Sequence, residues 1–353
     1  MAEQAHDPDG EIARVESVLL GRPASMRRRD VSREAQVSIA SARKLWHALG
    51  FQIVDDEDVM FTEADLDALQ RVARLVREDR LDAELALGMT RALARTADRL
   101  AVWQTQLVAE SLTPPEREPG LGEKDARSVP DDVAVAAAER LLDLADDIEP
   151  LLVYAWRRHL TGAIARMLAD AHSPEDREPQ APLRVVGFAD LVSFTSLVRR
   201  MTERQLATLV QRFELLASDV VTTHGGRVIK TVGDEVLFVH GDPAAAAAIA
   251  LDLVDAMEED DVLPEVRVGM AHGRVVSRLG DVFGTTVNRA SRLTAVTPPG
   301  HVWVDDVLAK RLGSVSGFTM GQQRRRTLRG IGAVTPSELR RAAGDRSVAT
   351  IAP

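Results

Sequence analysis

Three stretches between Arg184 and Arg292 constrain this chain more than anything else in it. The first, Val185-Val186-Gly187-Phe188-Ala189-Asp190-Leu191-Val192-Ser193-Phe194, runs an apolar segment into an aspartate. The second, Arg227-Val228-Ile229-Lys230-Thr231-Val232-Gly233-Asp234-Glu235, does the same and adds a Gly-Asp step suited to a hairpin turn. The third, Asp281-Val282-Phe283-Gly284-Thr285-Thr286-Val287-Asn288-Arg289-Ala290-Ser291-Arg292, sets Asn288 and Arg292 four residues apart, on one face of a helix. Two carboxylates delivered at strand ends suit divalent cations beside a phosphate. Taken singly, Asp190 reads as a loop cap and Asp234 as a turn residue. Their joint occurrence in these motifs is what points to a shared metal site.

Around these stretches the pattern alternates. Residues 183–189 read as a strand, and Thr202 with Gln205 opens a helix reaching about residue 222. Segments 227–232 and 235–240 form a hairpin about Gly233-Asp234. Asp242-Pro243 caps a helix through about residue 259. Strands follow at 265–271 and 273–276, a helix at 284–297, a strand at 301–304 and a helix at 305–312, with short strands at 318–320 and 325–329. The βαββαβ order predicts an α+β, ferredoxin-like core with additions.

The first half of the chain has a different period. Residues 11–112 read as helical, with Trp46, Leu49 and Phe51 as core and Leu85, Met89, Leu93, Leu100 and Trp103 as the stripe of a helix over about 81–112. Residues 31–46 have the look of a helix-turn-helix carrying Arg43 and Lys44. The alternative is a helical hairpin in a regulatory bundle, and the net charge of −10 disfavours nonspecific nucleic-acid binding by the whole chain. Residues 113–130, rich in Pro, Gly and charge, read as a linker. A helix begins at Asp131, Pro150 is expected to kink or end it, and a second helix follows over 151–171. There is no Cys, which excludes disulfides and thiolate metal sites. Residues 1–10 are acidic and polar, unlike a signal peptide. The most lipid-like segment, 151–169, carries Arg157, Arg158 and His159 in its middle, so no membrane span is expected and the reading is a cytoplasmic protein.

Together the three motifs resemble the catalytic domain of class III nucleotidyl cyclases, over residues 183–340. The resemblance implies a ferredoxin-like cyclase domain preceded by an all-helical regulatory domain at 1–172, a hinge at 173–182 and a polar tail at 341–353. It implies that Asp190 and Asp234 hold two Mg²⁺ or Mn²⁺ ions per site. Lys230 and Asp281 match the pair that reads the purine; a Lys donating to N1 and an Asp accepting from the 6-amino group fit adenine and leave guanine unpaired. Asn288 and Arg292 match the pair that orients the ribose and neutralises charge on the α-phosphate. Arg274 and Arg329 match basic residues near the outer phosphates. One departure is Ser193, where the family commonly has a Gly before Phe194. Because the family divides these groups between two protomers, a homodimer with two equivalent sites is implied.

The implied reaction is adenylate cyclase: ATP to 3′,5′-cyclic AMP and pyrophosphate. A guanylate cyclase, or a DNA-binding regulator with a degenerate cyclase-like sensor, are the alternatives. More loosely, the N-terminal half resembles the regulatory half of bacterial cyclases that are inhibited at neutral pH, activated by acid and able to bind a fatty acid. His159 is then a candidate protonated group, or else a simple exposed helix residue.

Overall fold

The computed structural model describes residues 8–51, 58–113, 129–171, 181–278 and 280–342. Most of the expected linker, hinge and tail therefore lies outside the described residues. The chain divides into two units, Met1–Ala165 and Arg166–Pro353.

The first unit comprises α1 (Pro8–Leu19), β1 (Met26–Arg27), α2 (Arg28–Glu34), α3 (Ile39–Leu49), β2 (Val59–Phe61), α4 (Glu63–Arg77), α5 (Ala83–Leu112) and most of α6 (Asp131–Ala171). Its core gathers Val31, Leu45, Trp46, Phe61 and Leu69, with the Trp46 and Phe61 ring centroids 5.1 Å apart. Thr62 and Asp65 form the capping box that starts α4.

Four expectations for this half need correction. The region is not all-helical, since β1 pairs with β2; strands of two and three residues are too short to show a period of two. Phe51 stacks on Trp46 but remains exposed. The large residues Leu85, Met89, Leu93 and Trp103 of α5 are exposed, whereas Ala86 and Thr90 are buried. Small side chains allow α5 to lie close against α3, and size outranks hydrophobicity at that contact. Finally, Pro150 does not end a helix: α6 continues through it. Proline removes one hydrogen bond and crowds the preceding turn, and a 41-residue helix retains enough others to continue. His159 lies exposed on α6. No helix among the described residues is long and apolar enough to cross a membrane.

The second unit holds β3 (Leu183–Leu191), α7 (Phe194–Val198), α8 (Glu203–Thr223), β4 (Arg227–Val232), β5 (Glu235–His240), α9 (Pro243–Glu258), β6 (Val266–Arg274), β7 (Val276–Arg278), β8 (Asp281–Phe283), α10 (Thr285–Thr294), β9 (Val302–Val304), α11 (Asp306–Leu312), β10 (Phe318–Gln322), β11 (Arg326–Leu328), β12 (Gly332–Val334) and β13 (Ser337–Arg341). A seven-stranded sheet runs in the order β10-β13-β9-β6-β3-β5-β4. Its β6-β3-β5-β4 portion, antiparallel throughout, is the ferredoxin-like core that the βαββαβ order predicts. The caps at Thr202/Gln205 and Asp242-Pro243 start α8 and α9 where their side chains indicate.

The sheet is covered differently on its two faces. Val185, Ala189, Phe238, Val268 and Met270 join residues of α8, α9 and α11 in the main core. The alternate residues Val186, Phe188, Leu237 and Ala271 pack with Val282 and with Ala290 of α10. The period of two along β3 therefore sends Asp190 to the α10 side.

Candidate active site

Asp190 ends a row of three facing residues. In register it lies opposite Glu235 of β5 on one side and Arg267 of β6 on the other. Residues directly opposite in an antiparallel sheet point to the same face, so two carboxyls and a guanidinium stand side by side, above the apolar Phe188–Leu237 row. Arg267 donates from Nε to Asp190 Oδ2 at 2.7 Å, and its Nη2 lies 2.5 Å from the same oxygen. Asp234 sits in the β4–β5 turn, which Gly233 makes with a φ of 63°. The Asp234 carbonyl accepts from Leu191 N–H at 2.9 Å, which ties the turn to the end of β3.

Burial, reinforced by Asp190 and Asp234, pushes the Glu235 carboxyl up to about 7. The Asp190 carboxyl is also raised, because burial outweighs the hydrogen bond and charge of Arg267. Carboxyls at neighbouring positions can accommodate a multivalent cation. Among the described residues, no set of three or more His, Asp or Glu side chains is arranged to hold a metal ion by itself. Mg²⁺ commonly takes one or two protein carboxylates and completes its shell with water and phosphate, and Asp190 with Asp234 fits that pattern. Glu235 and Arg267 were missed by the sequence reading. The only early sign of either was adjacency: Glu235 follows Asp234 directly, but Arg267 reaches Asp190 across 77 residues.

Lys230 reaches the same face through an irregularity. The β4–β5 register shifts between Val228 and Lys230, so Lys230 lies opposite Leu237. Its Nζ donates to Asp281 Oδ2 at 2.7 Å. That bond, more than any other influence, holds the Asp281 carboxyl below its usual range. The two residues assigned to purine recognition thus already form a pair, both partly exposed.

Asn288 and Arg292 are exposed on α10, while Thr286, Ala290, Leu293 and Thr294 are buried. At 100° per residue, the first pair points away from the sheet. The structure therefore brings Lys230 to Asp281 and Asp190 to Glu235 and Arg267, but directs Asn288 and Arg292 outward.

The two remaining basic candidates stand apart from the carboxylate cluster. Arg274 is opposite Leu183, at the other end of the β3–β6 pair from Asp190, and donates to the Ala181 carbonyl at 2.8 Å. Seven residues along a strand span about 23 Å. Arg329 is exposed at the turn between β11 and β12. Ser193 adopts φ 61°, the left-handed region, which explains why a glycine would suit that position.

This sheet, with paired carboxylates at a strand end and a hairpin turn and a Lys–Asp pair on the same face, defines a nucleotidyl cyclase domain, and the chain belongs to the class III cyclase family. The family model for the adenylate and guanylate cyclase catalytic domain matches residues 180–338. The chain is similar to an adenylate cyclase of Glutamicibacter nicotianae, with 40% identity over 95% of this chain and 84% of the relative. It is 41% identical to an adenylate cyclase of Streptomyces coelicolor, over 88% of this chain and 78% of the relative. A pH-sensitive adenylate cyclase of Mycobacterium tuberculosis matches at 32% identity over 86% of this chain and 75% of the relative.

Proposed function

We propose that this protein is an adenylate cyclase that forms 3′,5′-cyclic AMP and pyrophosphate from ATP at sites shared between two copies of the chain. The observation that carries the reading is the cluster of Asp190, Glu235 and Arg267 at the strand end, which with the Lys230–Asp281 pair of a second copy would make up one shared site.

Asp190 and Asp234 would hold two divalent cations, which when bound lower the cost of ionising the ribose 3′-hydroxyl and neutralise the triphosphate. The bond from O3′ to the α-phosphorus forms as the bond to the pyrophosphate oxygen breaks, and the hydroxyl proton leaves to solvent. Arg267 holds the Asp190 carboxylate in place through two of its nitrogens. Lys230 donates to adenine N1 and Asp281 accepts from the 6-amino group; guanine presents the opposite polarity to both and forms neither bond. Asn288 orients the ribose and Arg292 stabilises charge developing on the α-phosphate. Because these two residues point away from their own sheet, they fit the site of a second copy better than that of their own chain. A homodimer with two equivalent sites satisfies this requirement.

The segment upstream of about residue 172 acts as a regulatory domain that restrains the catalytic unit. The similarity to a relative named for pH sensitivity supports this reading. A cavity of about 430 Å³ in the first unit is lined by Leu20, Trp46, Phe51 and Phe61 and by both basic (Arg28, Arg43) and acidic (Glu16, Asp65) side chains, and a fatty acid would enter it with its carboxylate toward the arginines. The test of the catalytic reading is product identification from purified protein with Mn²⁺ and either ATP or GTP. Cyclic AMP from ATP, with little product from GTP, is expected. Equal use of both nucleotides would remove the Lys230–Asp281 assignment, and no product from either would remove the cyclase reading.

A further inference from the structure

Arg289 of α10, a third exposed, forms an ion pair with the buried Asp305. Arg289 follows Asn288 directly and precedes Arg292 by three residues, so it flanks both on the helix surface. Its Nη1 donates to Asp305 Oδ2 at 3.1 Å. Asp305 is completely buried at the start of α11, and its other oxygen accepts from Leu308 N–H at 2.9 Å and from His272 N–H of β6 at 3.3 Å. One carboxylate thus fastens α10, β6 and α11 together. Burial nevertheless raises its pKa, outweighing all three hydrogen bonds.

The rest of the α10 seat is a close contact with the sheet. A Cβ on Gly269 would come within 2.3 Å of Thr294 N, and one on Gly273 within 2.6 Å of Thr286 Oγ1. The two glycines let the helix lie directly on β6 at both of its ends, which sets its height. On the sheet-facing side Thr286 Oγ1 donates to the Arg274 carbonyl at 2.9 Å and Thr294 Oγ1 to the Phe188 carbonyl at 3.4 Å, while Arg289 is the residue that ties the helix to α11. Side chains reach about 5–6 Å from the axis, so a rotation of about 10° moves the ends of Asn288 and Arg292 by about 1 Å. A displacement of about 1 Å can lower a rate by about 10²-fold.

We infer that Arg289 and Asp305 are positioning residues that set the rotation of α10 and thereby aim Asn288 at the ribose and Arg292 at the α-phosphate. The inference rests on the cyclase reading above. Because the pair acts on groups used in the transition state, losing it should lower kcat and leave KM nearly unchanged.

The experiment compares full-length wild type with Arg289→Met, Arg289→Lys, Asp305→Asn and the Arg289→Met/Asp305→Asn double variant. It measures thermal midpoints and Mn²⁺–ATP kinetics. Arg289→Met should reduce kcat by about 10- to 100-fold with KM within about threefold, and should also lower the midpoint because a buried carboxylate loses its partner. Arg289→Lys should recover part of the rate. The decisive protein is the double variant. Removing the unpaired charge should recover the midpoint, while kcat stays low because nothing draws α10 toward α11. If kcat returns together with the midpoint, or if the loss lies in KM, the pair is structural and the inference fails. Asn288→Ala run alongside separates the two readings. An inactive Asn288→Ala beside a full-rate Arg289→Met overturns the inference alone. A fully active Asn288→Ala overturns the role given to Asn288, and the inference with it.

Discussion

Replacing Glu235 with Gln should stabilise the metal-free protein, and only above a defined pH. The Glu235 carboxyl is pushed from an ordinary 4.5 to about 7 by burial and by its neighbours Asp190 and Asp234. A carboxyl raised in the folded state keeps a proton that the unfolded chain has already released. Stability therefore falls as pH rises from about 4.5 to about 7 and is level above that. At about 1.4 kcal/mol per pH unit the full shift corresponds to about 3 kcal/mol. The side chain is partly exposed, and screening by water reduces this to about 1–2 kcal/mol. Glu235→Gln removes the charge and keeps the shape, so it should regain that amount at pH 8 and nothing at pH 4. The measurement is urea denaturation in the presence of a chelator across this range. Adding Mn²⁺ at pH 8 should shrink the difference, since a cation at Asp190 and Asp234 offsets the repulsion that Glu235 feels. Equal stability of the two proteins at all pH values without metal would refute the clustered-carboxyl account.

Three further predictions address the site and its control. Asp190→Ala and Asn288→Ala should each abolish turnover, while a mixture with exchanged subunits should recover part of it through one intact site per heterodimer; a mixture that remains inactive despite exchange, shown by differently tagged chains, would exclude shared sites. Ser193→Gly should raise stability by about 0.5–1 kcal/mol, the left-handed penalty less the entropy of glycine, and an unchanged thermal midpoint would show that the Ser193 backbone is not strained. A shortened chain beginning at Arg166, which retains the Asp170–Arg184 ion pair, should be more active at neutral pH than the full chain and should lose most of its pH dependence. Equal pH profiles, with both proteins dimeric, would assign the first unit to dimerisation instead of inhibition.

Local chemistry made much of the catalytic unit legible from the chain alone. The Gly233-Asp234 turn, the Thr202/Gln205 box and the Asp242-Pro243 start each depend on residues within a few positions of one another, so their signals survive without tertiary context. The spacing of Asn288 and Arg292 is likewise a property of one helix. Pairing across distance was not legible. Arg267 becomes a neighbour of Asp190 only because β6 lies beside β3 in a particular register, and a shift of one residue would have sent it to the opposite face. Lys230 faces Asp281 because a register irregularity re-aims β4. Arg274 stands in a recognisable motif, whereas only the sheet register puts Arg267 beside the carboxylate. The exposed large residues of α5 show the same limit, because a helical stripe states which residues share a face and not whether another element covers it. Sequence by itself determined most elements of the catalytic unit and the caps of α8 and α9. Tertiary structure decided which reactive groups meet, because register, strand order and helix rotation are set by contacts between residues far apart in the chain.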